Sequence, residues 1–408
     1  MKTIVRSLFI LLQLPGAAMV LYLDLLSVAA LLWRRRPEPA APRTRFAVLV
    51  PAHDEELLLP ALLDSLNRLD YPRVLYDVHV VADNCSDRTA AVAREGGAIV
   101  FERHDASQRG KGYALGALLD RLHGGDAATT VYDAYAVVDA DSTVSPNFLD
   151  VMNRHLVRGD AAVQCYYGVL NKDDAWPATL RYVAFVLFNG LRPQGRDGLG
   201  LSAGLRGNGM CFAASVIARF GWGAFTLAED AEFHLQLVEA GVRVAYAPEA
   251  TVLAAMPASL RGSRSQNVRW ERGRLQLLRA HGPRLLAAGL CRRDPARLDA
   301  LAEQLVPPLS ALTGLTAFFF ALTMALRVRG ARGLALAVLL GQLGYVVTGL
   351  RLAGAAPRAY AALLLAPIYI VWKLSVYVAA AVGIKDSRWV RTQREGEGER
   401  ADAILTGS

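Results

Sequence analysis

The hydrophobic pattern of this chain divides it into segments of different character. Leu8 to Trp33 is a nearly unbroken apolar run of about 26 residues, enough to span a bilayer. From Phe46 to Asp141, short apolar runs alternate with amphipathic stretches. Phe46–Val50, Val78–Ala82, Ala98–Phe101 and Tyr135–Val138 read as strands, while Glu55–Leu69, Asp87–Glu95 and Tyr113–Leu122 carry helical periodicity. Such alternation implies a mainly parallel sheet whose ligands gather at the carboxyl ends of its strands. A strand at Met210–Ala213 and a helix over Glu229–Ala240 come later. The Arg-rich amphipathic stretch Leu260–Leu286 then has the charge pattern of a membrane-surface helix. Three further apolar runs, Leu305–Leu326, Leu334–Leu352 and Tyr360–Gly383, are each long enough to cross.

Composition supports an α/β domain flanked by membrane spans. Of 408 residues, 53% are hydrophobic, and the mean hydropathy of +0.25 exceeds what a soluble enzyme needs. The net charge of +8 would suit nucleic acid, but the arginines cluster beside apolar runs and no nucleic-acid motif accompanies them. Arg34, Arg35 and Arg36 outweigh Lys2 and Arg6 across the first run, so it reads as a retained anchor, not a cleaved signal peptide, with the following domain cytoplasmic. Asp24 is an unusual charge within it, and Pro37–Arg43 forms a stiff linker. Cys85, Cys165, Cys211 and Cys291 are widely separated and the seven histidines show no ligand spacing, which excludes a zinc site or disulfide framework. The units expected are an anchor at 1–36, an α/β domain ending in an interfacial helix at 44–285, a membrane region at 300–385 and a polar tail at 386–408. Three crossings after a cytoplasmic domain would leave Lys385, Arg388, Arg391 and Arg394 outside, against the positive-inside rule. One run is therefore a candidate for an interfacial or re-entrant course; Pro307-Pro308 interrupts the first, and Pro367 and Lys373 the third. Trp389-Val390-Arg391-Thr392 is either a docking element or part of a solvated tail.

The chemistry-bearing residues fall at strand ends. Pro51-Ala52-His53-Asp54-Glu55 follows the first strand, Asp83-Asn84-Cys85-Ser86-Asp87 the second, and Asp139-Ala140-Asp141 the fourth. Singly, each is an ordinary turn or helix cap. Two carboxylates at i and i+2 leaving a buried strand suit Mg2+ or Mn2+ held to a diphosphate. Gly110-Lys111-Gly112 lacks P-loop spacing and is either a flexible loop or a lysine free to approach phosphate. Arg206-Gly207-Asn208-Gly209-Met210, Ala228-Glu229-Asp230-Ala231-Glu232 and Gln266-Asn267-Val268-Arg269-Trp270 complete the series. Helical spacing places Gln266, Arg269 and Trp270 on one face.

In this order the motifs resemble the membrane-bound family 2 glycosyltransferases, inverting enzymes with a GT-A fold that include cellulose, hyaluronan, chitin and poly-N-acetylglucosamine synthases. The resemblance implies that Glu55, Asp83 and Asp87 hold the nucleoside of a nucleotide sugar, with Asp54 standing where the family has asparagine. It implies that Lys111 approaches the nucleotide, that Asp139 and Asp141 bind metal and diphosphate, and that Asn208 and Gly209 line the acceptor side. Asp230, with Glu229 beside it, takes the acceptor's proton, although Ala228 replaces the family's threonine. Gln266 and Arg269 meet the diphosphate and Trp270 lies under the acceptor sugar. The expected protein is a multi-pass enzyme of the inner plasma membrane that uses a UDP-sugar to build a polysaccharide or lipid-linked glycan. Single-sugar transfer to a lipid is the main alternative, and a nucleotide-sugar-binding protein without turnover is another. The sequence identifies no export or assembly partner.

Overall fold

A computed structural model describes residues 2–34, 38–124, 132–256, 259–260 and 264–381. The tail carrying Trp389 and its basic neighbours lies outside them. Eight strands form one sheet: β1 (Phe46–Ala52), β2 (Tyr76–Asp83), β3 (Ile99–Arg103), β4 (Ala134–Val137), β5 (Ser142–Val144), β6 (Ala162–Val169), β7 (Met210–Ala213) and β8 (Val244–Ala254). Their order is β3-β2-β1-β4-β7-β6-β8-β5. The first four are parallel, β7 is antiparallel to β4 and β6, and β8 returns parallel to β6. All seven β1 residues are buried, as a central parallel strand covered on both faces requires. Pro51 is tolerated there because β4 pairs only with Phe46–Leu49, so no ladder bond on that side needs its missing N–H.

Helices α2 (Leu59–Asn67), α3 (Thr89–Glu95) and α5 (Phe148–Val157) cover one face of the sheet. The other face is covered by α4 (Lys111–Gly124), α8 (Ala214–Phe220) and α9 (Glu229–Glu239). Both N-terminal helices begin later than their periodicity predicts. Asp54 at φ 54° and the turn after Glu55 delay α2, and the Asp87 side chain caps the Thr89 amide at the head of α3. β3 extends past its apolar run because Glu102 and Arg103 still pair with Ala82 and Asp83. Gly110-Lys111-Gly112 is not a flexible loop: α4 starts at Lys111.

A second body of helices sits below the sheet. It comprises α1 (Lys2–Leu32), α6 (Trp176–Phe185), a π-type turn (Val186–Leu191), α7 (Arg192–Gly198), α10 (Arg264–Arg292), α11 (Pro295–Leu305), α12 (Leu309–Ala325), α13 (Arg329–Leu352), α14 (Pro357–Ala362) and α15 (Ala366–Ala381). Among the described residues, three helical stretches, Ile4–Leu32, Arg329–Leu352 and Pro357–Val378, are long and apolar enough to cross a membrane. The run expected over Leu305–Leu326 forms α12, and α11 before it meets α12 at a bend of 68° across the Pro307-Pro308 step. α1 and α13 run in the same direction, since Arg6 meets Gly330 and Asp24 meets Gly341. α12 runs against them, with Leu312 beside Gly16 and Phe319 edge-on to Phe9. The C-terminal end of α1 docks on α7, where Trp33 Nε1 donates to Asp197 at 2.7 Å, and Asp197 also accepts from the Tyr246 amide of β8 at 3.3 Å.

One glycine fixes how the sheet meets the loop before β7. Gly209 has φ 69°, and a Cβ there would overlap the Cys165 sulfur and lie 2.9 Å from Val252 Cγ2. Gly209→Ala therefore combines left-handed strain with overpacking and should cost about 2 kcal/mol or more. Thermal unfolding of the purified variant in detergent checks this, with a lowered melting temperature expected.

Candidate functional site

The acidic segments converge where β1, β2 and β4 end. Asp83, the last residue of β2, is fully buried, and its Oδ1 accepts from Arg103 Nη1 at 2.6 Å. Its Oδ2 is buried without a hydrogen-bond partner, an acceptor that a ligand donor would satisfy. His53 Nδ1 lies 2.7 Å from the Asp83 carbonyl oxygen, joining the β1 and β2 loops. Glu55 is held at this edge by its amide, which donates to Thr89 Oγ1 at 2.8 Å. Asp87 accepts from the Thr89 amide at 2.9 Å and from the Glu56 amide at 3.1 Å, so its carboxylate is engaged in capping.

Lys111, Asp139, Glu229 and Asp230 meet in a second cluster. The Lys111 ammonium pairs with Asp139, donates to the Gly207 carbonyl at 2.5 Å and lies 3.9 Å from Glu229 Oε1. Asp139 leaves the sheet at β4, and its amide donates to Asn208 Oδ1 at 3.0 Å. Asp141 follows two residues later and accepts from the Ser142 hydroxyl at 3.2 Å. Glu229 and Asp230 open α9, where the exposed amides of a helix N-terminus favour carboxylates. Gly207, at φ 79°, passes so close that a Cβ would sit 3.2 Å from Asp230 Oδ2. The oxygen pair Asp139–Asp141 fits a hard divalent cation.

Asn208 and Gly209, expected on the acceptor side, are placed inside the framework. Asn208 is fully buried, its amide group spent on the Asp139 amide and on Ser142 Oγ at 2.7 Å, and Gly209 faces Cys165 and Val252 inside the sheet. Both shape the cluster from behind. Gln266 and Trp270 share the face of α10 that meets α6: Arg181 Nη1 donates to Gln266 Oε1 at 2.9 Å, and the Trp270 ring centre lies 6.4 Å from that of Phe185. Arg269 is half-buried in the same turn. One turn on, a Cβ on Gly273 would lie 2.8 Å from Ala228 Cβ, so α10 packs directly against the start of α9. The alanine that replaces threonine thus sits at a helix–helix contact.

Four residues near these groups were missed by sequence reasoning: Arg103, Arg181, Arg206 and Lys373. Each is a cation at least nine-tenths buried in its side chain or residue as a whole, and each has a partner far away in sequence: Asp83, Gln266, Glu303 and Asn267 respectively. Only the presence of long cationic side chains next to apolar segments could have hinted at them.

Burial sets the protonation of the cluster. It pushes the Asp139 carboxyl up, Lys111 opposes this, and the like charge of Asp141 adds to it; the net shift is upward. That crowding is what a bound cation would relieve. Burial pulls the Lys111 ammonium down, but Asp139 and Glu229 outweigh it and hold it above its ordinary value. The Asp230 carboxyl is raised by burial against the Ala231 amide, Lys111 and Arg206. Glu229 is raised from 4.5 to about 7, by burial first and the Asp230 charge second. A carboxyl that binds its proton more tightly when folded loses stability as pH rises from its unfolded value through its folded one, here between 4.5 and about 7. In metal-free protein, Glu229→Gln should therefore be more stable than the parent at pH 8, by up to about 3 kcal/mol, with the difference vanishing near pH 4. Melting temperatures across that range check the sign.

The profile of the family named Glycosyltransferase like family 2 matches residues 42–273, more than half of the chain. YdaM of Bacillus subtilis (strain 168), a probable glycosyltransferase, is 25% identical over 238 residues, covering 56% of this chain and 55% of YdaM. The beta-monoglucosyldiacylglycerol synthase of Trichormus variabilis (strain ATCC 29413 / PCC 7937) is 29% identical over 202 residues, covering 47% of this chain and 40% of that enzyme. The chain thus spans about half the length of the curated relatives it matches. Among solved structures, the mannosyltransferase PcManGT from Pyrobaculum calidifontis, in complex with GDP-Man and Mn2+, is similar with a TM-score of 0.50 at 19% identity, covering 90% of this chain and 98% of that one. That likeness is one of fold. The sheet order, the strand-end acids and the profile match lead to one conclusion: this chain belongs to glycosyltransferase family 2 and its α/β domain has the GT-A fold.

Proposed function

We propose that this enzyme transfers one sugar from a nucleotide-activated donor to a lipid acceptor at the membrane surface, with inversion at the anomeric carbon. The observation that carries the reading is the closed cluster Lys111–Asp139–Gly207–Asp230, which sets a candidate base beside a candidate diphosphate site. Asp230 takes the proton of the acceptor hydroxyl as its oxygen attacks C1 of the sugar, and the bond from C1 to the diphosphate oxygen breaks. Lys111 and Arg269 offset the charge gathering on the departing nucleoside diphosphate. Asp139 and Asp141 would hold Mg2+ or Mn2+, which supplies further positive charge to the diphosphate. Glu55 and Asp83 hold the nucleoside, Asp87 shapes that loop as a cap, and UDP is the nucleotide that the family resemblance favours.

A lipid acceptor is favoured over polymer synthesis by the membrane region. α14 and α15 continue one another, and one side of this helix packs against α6, α10 and α12 through most of its length. Arg358 is 3.9 Å from Asp173, Tyr369 bonds Arg181, Lys373 bonds Asn267, Ser375 accepts from Arg264 at 3.2 Å, and Tyr377 meets Ser310 at 2.6 Å. Leu364, Ile368, Val371 and Val378 are exposed on another side. This two-sided pattern supports a helix lying in the membrane plane under the catalytic domain. Among the described residues, the crossings this leaves are α1 and α13 with the shorter α12 between them, few for the wall of a polymer channel. The relative from Trichormus variabilis is, by its name, a glycolipid synthase, which supports the same reading. The second reading, repeated addition to a polysaccharide, is favoured by Gln266-Asn267-Val268-Arg269-Trp270.

Asp230→Asn should abolish transfer, by at least about 1,000-fold, and leave UDP affinity within about twofold, because it removes the base and no donor contact. Asp139→Ala and Asp141→Ala should each weaken Mn2+-dependent UDP binding by about tenfold or more. Isothermal titration beside a donor-turnover assay reads both, and an active Asp230→Asn would remove the base from the mechanism. A fluorescent-protein fusion after Ser408 should fluoresce from the cytoplasmic side. An alkaline phosphatase fusion active outside would mean that the last helix crosses.

A further inference from the structure

A buried ionic cluster joins the first membrane helix to the wall of the catalytic pocket. Tyr22 of α1 donates to Asp299 Oδ1 of α11 at 2.7 Å. Arg196 of α7 donates to the Tyr22 hydroxyl at 2.8 Å, lies 3.1 Å from Asp299 Oδ2 and pairs with Glu303. Arg206 donates to Glu303 Oε1 at 3.0 Å, and its guanidinium lies 4.1 Å from the centre of the Phe188 ring. The Arg196 and Arg206 side chains are 0% and 8% exposed. Two guanidiniums and two carboxylates thus balance one another away from water, and each needs its partners in place to stay charged. His234 of α9 stays neutral beside them, lowered to about 3 by burial and by Arg206 and Arg196.

We propose that Arg206 is a positioning residue for the transfer reaction: anchored by Glu303, it sets the Arg206–Gly209 loop, and through Gly207 the place of Asp230 and Lys111. The proposal rests on Asp230 being the base. Its geometry is direct, because Gly207, the residue after Arg206, both abuts Asp230 Oδ2 and accepts the Lys111 ammonium on its carbonyl. The charged groups acting on Asp230 and its neighbours are Lys111 from α4, Asp139 after β4, Glu229 beside it and Arg206. A shift of an ångström in this loop moves the base and the donor lysine together, and misplacement of that size costs about 100-fold in rate. The membrane helix α1 and the adjoining α11 thereby hold the catalytic geometry from outside the substrate site.

The test compares Glu303→Gln, Arg206→Gln, Arg206→Lys and the double variant Arg206→Gln/Glu303→Gln in lipid nanodiscs, with Asp230→Asn as control. Glu303→Gln and Arg206→Gln should each lower kcat by about 10- to 100-fold while donor KM and UDP affinity change less than about twofold. Arg206→Lys should recover part of the loss. The double variant should be no worse than Arg206→Gln alone, since the two side chains act as one unit. If Arg206→Gln does not fold, Glu303→Asp replaces it, with the same split expected. Normal kcat in Glu303→Gln alongside an inactive Asp230→Asn overturns the proposal, as do losses that multiply in the double variant or that fall on KM. An active Asp230→Asn overturns the base reading and this inference with it.

Discussion

The carbonyl of Gly207, accepting the Lys111 ammonium at 2.5 Å, is the contact on which the site's geometry depends. It ties the loop before β7 to α4, and through Lys111 to Asp139 at the end of β4. The same loop sends Asn208 to the Asp139 amide and seats Gly209 against Cys165. Three polar groups with raised pKa values can share this space only because a lysine and an arginine are set among them. Glycine at 207 and 209 is required by both φ and space; a side chain at either would push the loop off Asp230 or off the sheet. The edge carrying Glu55, Asp83 and Asp87 is simpler: parallel strands end together, and their loops carry acids to one edge.

The lower half of the molecule follows a different constraint. Its helices bury many charges, Arg181, Arg192, Arg196 and Asp197 among them, and hold them in contacts between one helix and another. Trp33 bonds Asp197, Arg192 donates to the Tyr345 hydroxyl at 2.9 Å, and Arg181 reaches Gln266. The π-type turn at Val186–Leu191 interrupts the α6–α7 segment between two of these contacts, a kind of bulge that often accompanies functional sites.

Much of the upper half was legible in the sequence, because its signals are local. The strand period, the acids after β1, β2 and β4, and the acid pair opening α9 need only a few neighbouring residues to be read. The burial of Asn208 was not legible, since Arg206-Gly207-Asn208-Gly209 reads equally as a ligand loop and as a framework turn until Ser142 and Asp139 are brought to it. Arg206 and Glu303 are 97 residues apart and Arg103 lies beyond the apolar part of β3, so no periodicity couples them to their partners. The last apolar run has the length of a span whether it crosses or lies flat. Its partners on α6, α10 and α12 are a property of the fold alone.

The central claim is that this site transfers a sugar from a nucleotide to a lipid. It is tested most directly by incubating the protein in lipid nanodiscs with Mn2+ and a panel of radiolabelled UDP- and GDP-sugars, then measuring nucleoside diphosphate release and product size. The account predicts release from one UDP-sugar and a labelled product that extracts and migrates as a lipid bearing one sugar. A high-molecular-weight product would contradict single transfer, and the absence of both binding and release with every nucleotide sugar would contradict the account as a whole.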